Sequence, residues 1–559
     1  MKRKTPPAVR SLADIDRLIR DMTLDQKVGQ CMTLAFYGTV ITDVELEQIE
    51  KLHCGGLRIT PHINTSDNKQ FVRRLAPYYT PGQYAEVLNE LQSIAASRPL
   101  GLPLHMSTDQ EGDLSADILH GGINFFPSQM GLAATGSPAL VQKAVCAMNR
   151  QLRAIGVHMA HSPVLDVNIK PKNPEIGCRS FSDSPEICAE YGLAFLKGAR
   201  EAGIISTGKH FPGRGDSEVD AHYTLPVLKA SRARLDAVEL LPYRKLIAAG
   251  LPAIMSAHNA YSALDDSGLP ASLSRKILMG LLRGELGFKG VITSDAMAMK
   301  GVTAIAPEPE ACAMAIAAGN DLVLVKSYNG TPQATFAAIK RYVQTGKIPE
   351  EQLNASVRRI LAMKLAYGIF AKRYTDPVEA DCAVSDEKTI ALAKETSRRC
   401  ITVIRDRPRQ LPLSPKKTTL VILPVRIEYH EKGNDFWYSP TALYQQVQKF
   451  VPRACLHEFA VPATPEAIRA AVKRSAGFDN VIVFDHLWRG PATSHELVKK
   501  LVAAGRKVAV VANNIYDDRF LKEAGTLVVT YSAMPPGMEA AAELLYGKRK
   551  SAGKSPLVK

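Results

Sequence analysis

Eight short, apolar, β-rich runs recur through the first two-thirds of the chain, each followed by a helix-like segment or by a stretch long enough to hold one. They cover residues 28–36, 55–60, 103–109, 157–167, 204–211, 253–261, 290–297 and 321–326. Parallel strands need long crossover connections, so eight strands alternating with helices predict a closed (β/α)8 barrel of the TIM type. In such a barrel the polar residues at the C-terminal ends of the strands build the site. The tails of these runs are rich in such residues. The third ends in Ser107-Thr108-Asp109-Gln110-Glu111-Gly112, the fourth in Leu165-Asp166-Val167-Asn168, the fifth in Lys209-His210, the sixth in His258-Asn259 and the seventh in Ser294-Asp295.

After residue 370 the composition shifts to a Pro- and Asp-bearing stretch, RYTDPVEADCAVSDEK, which reads as a linker over 371–388. A second α/β unit follows over 389–559, with apolar runs at 401–404, 419–425, 480–484, 507–512 and 526–531. Continuous β-branched runs predict a sheet covered on both faces, an α/β sandwich of three layers. The expected organisation is therefore a catalytic barrel (1–370), a linker and a C-terminal sandwich.

Composition narrows the partners. With 46% hydrophobic and 22% charged residues, the 559-residue chain is neither disordered, collagen-like nor a coiled coil. No apolar run reaches membrane-spanning length, and the basic N-terminus lacks the apolar stretch of a signal peptide, so the expected location is cytoplasmic with no membrane partner. Nine scattered cysteines without a C-x-x-C pair indicate neither a disulfide framework nor a zinc site. The excess of 70 Lys and Arg over 55 Asp and Glu is dispersed rather than gathered into a block, which argues against nucleic acid and leaves a surface that attracts small anionic substrates or one that simply keeps the protein in solution.

The densest chemistry lies in GKHFPGRGDSEVDAHYTLP, residues 208–226. On an extended loop, Asp220 and His222 can point the same way, so that the carboxylate fixes the imidazole tautomer and stabilises the imidazolium of a proton-transfer catalyst. The plainer alternative is a turn-capping Asp beside a solvated His. Asp295 follows an apolar strand, where a carboxylate faces the barrel mouth or caps the next helix. Such groups are the equipment for glycoside cleavage through a covalent intermediate, with Asp109, Arg179, Lys209 and His210 holding sugar hydroxyls or, alternatively, forming buried ion pairs. Gly213 and Gly215 are not followed by Lys-Ser/Thr, which argues against a phosphate-binding P-loop.

KHFPGRGDSEVDAH resembles the K-H-F-P-G-H-G-x-x-x-x-D-S-H loop of glycoside hydrolase family 3, in its β-N-acetylglucosaminidase branch. STDQEG, SPVLDVNIKPKNPEIGCRSF, VITSDAMAM and VVTYSAMPPGMEAAAELLYGK agree in the same order. The resemblance implies a barrel followed by an α/β sandwich and a retaining, exo-acting β-glycosidase that needs no metal or other cofactor. It places the nucleophile on Asp295, the acid/base pair on Asp220 and His222, and the sugar ligands on Asp109, Arg179, Lys209 and His210.

The chain also departs from the pattern. The family continues D-x-E-G-G-x-V-x-R after strand three, whereas this chain has Asp113 for the second glycine and Asp117 for the arginine, so a ligand-orienting cation is expected to be missing. Arg214 replaces the second histidine of F-P-G-H-G, and residues 62–83 form an unfamiliar insertion. Three alternatives stay open. A β-glucosidase or β-xylosidase of the same family would take its acid from the second domain, where Glu428, Glu431 and Glu458 are candidates by position. A phosphorolytic variant is left open by a histidine that is neutral once it has given up its proton and so does not repel an anionic acceptor. A sugar-binding protein without activity is the third.

Overall fold

The computed structural model describes residues 9–61, 79–113, 115–118, 122–426, 441–461, 463–485, 494–516, 519 and 521–558. All eight expected barrel strands form: β1 (Met32–Tyr37), β2 (Gly56–Thr60), β3 (His105–Thr108), β4 (Met159–Ala160), β5 (Ile205–Phe211), β7 (Ala253–Ser256), β9 (Val291–Ala296) and β10 (Leu322–Val325). They close in the order β1-β10-β9-β7-β5-β4-β3-β2, every pair parallel. Two short strands, β6 (Val227–Leu228) and β8 (Ala260–Tyr261), pair outside the barrel and brace the loop that follows β5. The fourth strand is much shorter than its apolar run suggests: after Ala160 the chain stays alongside β3 and β5, the His161 amide donating to Thr108 O and Ser162 O and Pro163 O accepting from the Thr207 and Lys209 amides, but only a single parallel bridge, Val164 with Lys209, continues the pairing.

Helix starts follow ordinary capping chemistry. Ser137 caps Pro138–Ile155 by accepting from the Leu140 amide, and Gly156 at φ 111 ends that helix in the left-handed conformation. The barrel floor is closed by the buried Lys364, whose ammonium donates to Gln30 Oε1, Gly55 O and Pro103 O at 2.7–2.9 Å. Those three acceptors satisfy an ammonium that burial alone would make costly.

The second sheet runs β11-β16-β15-β14-β12-β13, made of β11 (Thr402–Asp406), β12 (Thr419–Arg426), β13 (Cys455–Val461), β14 (Asn480–Asp485), β15 (Val508–Ala512) and β16 (Thr526–Val529). Only β11 is antiparallel. Successive residues of β12 and β14 go to opposite sides: Val421, Leu423, Ile482 and Phe484 enter one core, while Leu420, Ile422, Val481 and Val483 enter the other. That is the double burial of a three-layer sandwich. β13 escapes the sequence reading because its CLHEFAV breaks the apolar run with His457 and Glu458, as suits an edge strand that pairs only with β12.

The stretch read as a linker is partly helical. Pro377–Ser385 forms a helix with Asp376 as its cap, and Asp381 on it accepts from the Gly82 amide at 2.8 Å, pinning the start of the barrel helix Pro81–Ala96. Asp-Pro there is a helix-start signal rather than a breaker. Among the described residues no helix is long and apolar enough to cross a membrane. Six of the nine cysteines are buried.

Candidate active site

The site is assembled from strand ends, as a barrel dictates. Asp295 lies on β9 with its side chain 15% exposed at the mouth. It does not cap the next helix, Lys300–Thr303, whose cap position is Met299. Its Oδ1 accepts from the Ala296 amide at 2.7 Å, and its Oδ2 lies 3.6 Å from the Arg214 guanidinium. Burial works against its charge, but Arg214, His258 and the Ala296 amide together hold the carboxyl below the usual aspartate range.

Asp220 and His222 form the expected pair. His222 Nδ1 lies 2.7 Å from Asp220 Oδ1, which also accepts from the His222 backbone amide at 2.8 Å, so the turn-capping arrangement and the imidazole-orienting one coexist. Asp220 is pulled down to about 2, because bonds from His222 outweigh its partial burial. A second carboxylate, Glu175, reaches the same Nδ1 at 3.2 Å and pairs with Arg214 at 3.3 Å. Arg214 thus bridges Asp295 on one side and, through Glu175, the histidine on the other. Donor atoms of Glu175, Asp220 and His222 lie within 4.8 Å of one another, close enough to share a cation. In this arrangement Nδ1 bonds to Asp220, with the Glu175 carboxylate beside it.

The four expected sugar ligands gather beside these groups. Asp109 Oδ1 accepts from Lys209 Nζ at 2.8 Å, and that ammonium also meets Glu111 Oε1 at 2.6 Å. Arg179 grips Glu111 with a two-pronged bond, Nε to Oε2 at 2.7 Å and Nη2 to Oε1 at 2.8 Å. Adjacent residues of a strand normally point to opposite faces, yet Lys209 and His210 are both used; the peptide between them is cis, and the register of β5 against β7 shifts between Lys209 and Phe211. His210 is 2% exposed and both of its ring nitrogens are engaged, Nδ1 with Asp166 at 2.7 Å and Nε2 accepting from Arg214 at 2.9 Å. Arginine has no acceptor, so Nδ1 carries the proton. Burial pushes Asp166 up to about 6.

Sequence reasoning passed over Arg58 and Glu175, and met Asp117 and Arg214 only as departures. Arg58 on β2 pairs with Asp109 Oδ2 at 2.6 Å and also with Asp117. A cation in the middle of the apolar run GLRIT was the available signal. Glu458 is exposed on β13; Glu428, Glu431 and most of the 62–83 insertion lie outside the described residues.

A closed barrel whose mouth gathers a buried carboxylate, a carboxylate-backed imidazole and a ring of charged side chains is a (β/α)8-barrel enzyme. The glycosyl hydrolase family 3 N terminal domain matches residues 23–363. A beta-N-acetylglucosaminidase/beta-glucosidase of Cellulomonas fimi is 27% identical over 98% of this chain and 95% of its own. Beta-hexosaminidase A of Pseudoalteromonas piscicida is 35% identical over 308 residues, so that the chain spans about half the length of that relative. Among solved structures, a glycoside hydrolase family 3 beta-N-acetylglucosaminidase from Paenibacillus sp. str. FPU-7 has a TM-score of 0.84 at 31% identity, over 96% of this chain and 99% of that one. The chain belongs to glycosyl hydrolase family 3.

Proposed function

We propose that the protein is a retaining, exo-acting β-N-acetylglucosaminidase that removes terminal β-linked N-acetylglucosamine from oligosaccharides derived from chitin or peptidoglycan. The observation that carries this reading is the 2.7 Å contact between Asp220 and His222, joined through Glu175 and Arg214 to Asp295. Asp295, held ionised, attacks the anomeric carbon and forms a glycosyl ester as the leaving oxygen departs. Asp220 holds the Nδ1 proton, which makes Nε2 of His222 the nitrogen that protonates the leaving oxygen and then takes a proton from the incoming water. Water attack returns the free carboxylate and a sugar of retained β configuration. Asp109, Lys209 and Arg179 line the mouth as the hydroxyl-binding groups, while His210, expected to be a fourth, has its ring nitrogens taken by Asp166 and Arg214 and holds Arg214 in place instead. The likeness to a Paenibacillus beta-N-acetylglucosaminidase and to a Cellulomonas beta-N-acetylglucosaminidase/beta-glucosidase supports a 2-acetamido sugar. Recovery of cell-wall fragments inside the cell is the proposed physiological setting.

The test is a panel of aryl β-glycosides, run with and without phosphate. Aryl β-N-acetylglucosaminide is expected to exceed aryl β-glucoside by at least about 100-fold in kcat/KM, since a pocket built to bond the acetamido group is left with an unpaired polar partner by the plain hydroxyl. A preference for glucoside or xyloside would overturn the substrate assignment and move the search for the acid to the second domain. Phosphate-dependent release of a sugar phosphate would replace hydrolysis by phosphorolysis.

A further inference from the structure

Position 117 holds an aspartate where the D-x-E-G-G-x-V-x-R pattern has its arginine, yet the pocket does not lack a cation. Arg58 enters it from the neighbouring strand β2, its side chain only 1% exposed, and its guanidinium is shared between Asp109 and Asp117. Asp117 is itself fastened to the end of β3, with Oδ2 accepting from the Asp109 amide at 2.6 Å and from Thr108 Oγ1 at 3.1 Å. Arg58 also donates to Ile59 O at 3.2 Å, so the fork is held at both ends. The register of β1 with β2 places Ala35 beside Arg58, a neighbour too small to compete with it for room.

We propose that the cation of the loop after β3 has moved to β2: Arg58 is the positioning residue that holds Asp109 for substrate, and Asp117 is the anion that holds Arg58. The two oxygens of Asp109 then have one cation each, Arg58 on Oδ2 and Lys209 on Oδ1, while the side chain stays 34% exposed toward the mouth. A carboxylate clamped at both oxygens keeps its remaining lone pairs directed at one place, which is what a hydroxyl ligand needs. Burial opposes the charge of Asp109, and Arg58 is foremost among the groups that hold it ionised. The inference rests on the reading of Asp109 as a substrate ligand.

The experiment measures kcat, KM and the pH profile of the full chain for Asp109→Ala, Arg58→Ala, Arg58→Lys and the relocated pair Arg58→Ala with Asp117→Arg. Arg58→Ala is expected to lose about 100-fold in kcat/KM, as a displaced ligand does. Its deficit should deepen on the acid side of the limb that Asp166 sets, because Asp109 takes up its proton more readily without the guanidinium. The relocated pair should recover at least about tenfold over the single variant and lose the added acid-side deficit, an outcome that a purely structural role for Arg58 does not produce. If Arg58→Ala does not fold, Arg58→Lys decides: it keeps the charge but not the fork, and is expected to fall about tenfold with little change in pH profile. A folded Arg58→Ala within threefold of the parent, or an unfolded one together with a wild-type-like Arg58→Lys, overturns the inference. A relocated pair no better than the single variant also overturns it. A dead Asp109→Ala beside an active Arg58→Ala sinks the inference alone, whereas an active Asp109→Ala sinks the ligand reading and the inference together.

Discussion

Asp295 owes its charge to what surrounds it: burial raises the cost of ionisation, and Arg214, His258 and the Ala296 amide more than offset it. Asp295→Ala is accordingly expected to lose several orders of magnitude in kcat, with partial recovery by azide, and retention of more than about a tenth of the activity would remove it as nucleophile. A group held below 3.8 does not titrate near neutrality, so an acid limb near pH 6 has another source. Asp166 provides one. It is pushed up to about 6 by burial and accepts from His210 Nδ1 and from the Arg214 amide, so below that pH it gains a proton and loosens both. Asp166→Asn should flatten the rate profile between about pH 6 and pH 4, and an unchanged limb would clear Asp166. His222→Ala should cost about 100- to 10,000-fold with poor leaving groups and less with a nitrophenyl one. Asp220→Asn added to it should do little more, since the pair acts as a unit, and fully additive losses in the double variant would separate their roles. Strand-tail logic finds Asp109, Lys209, His210 and Asp295 because a barrel fixes where such residues stand. It misses Arg58 and Glu175, and meets Asp117 only as a departure from the family pattern, because their partners lie far along the chain, 51 residues away for Arg58 and Asp109, and no local pattern encodes that meeting.

Elements reach the site through backbone contacts that admit no side chain. A Cβ at Gly215 would sit 1.8 Å from Val167 O and 2.4 Å from Val167 C, backbone atoms that cannot yield without moving the segment after β4. Gly215→Ala should therefore displace Arg214 from Asp295 and Glu175 and cost about 100-fold in kcat, as misplacements of an ångström do. A variant with wild-type kinetics and Tm would mean that the loop has slack the packing does not suggest. Periodicity shows the eight barrel strands plainly because each is buried on both sides and reads as a continuous apolar run. It fails where burial is one-sided or absent. β13 is an edge strand with polar residues in its middle, and Pro377–Ser385 is a surface helix whose Asp-Pro start mimics a turn. In the fourth run it meets residues 161–167, which are as buried as a strand and bond to β5 but through irregular pairing with a single bridge, Val164 with Lys209.

The second domain is fastened directly onto the loops of the barrel mouth. Ser128 N donates to Tyr531 O at 3.1 Å, Tyr516 Oη donates to Asn168 O at 3.2 Å, and Ser182 Oγ donates to Pro556 O at 2.6 Å. The clasp nearest the chemistry is Asp113, which stands where the family pattern has its second glycine, two residues after the Glu111 that holds Arg179 and Lys209. Its Oδ1 accepts from Ser532 Oγ and from the Ala533 amide, both at 2.8 Å, and its backbone is left-handed at φ 48. Two opposing effects can be separated by substitution. Asp113→Ala loses both bonds and keeps the strained backbone, so it should destabilise by about 1–3 kcal/mol for the orphaned donors. Asp113→Gly loses the same bonds but relieves the left-handed strain, which returns about 1 kcal/mol. The expected order of Tm is therefore parent, then Asp113→Gly, then Asp113→Ala, and kcat/KM should fall in both as the Glu111 segment loses its anchor to the second domain. If the glycine variant matches the parent in Tm and in kcat/KM, the two bonds contribute nothing and the mouth is held by the barrel alone. If it melts below the alanine variant, the φ 48 conformation is not a source of strain.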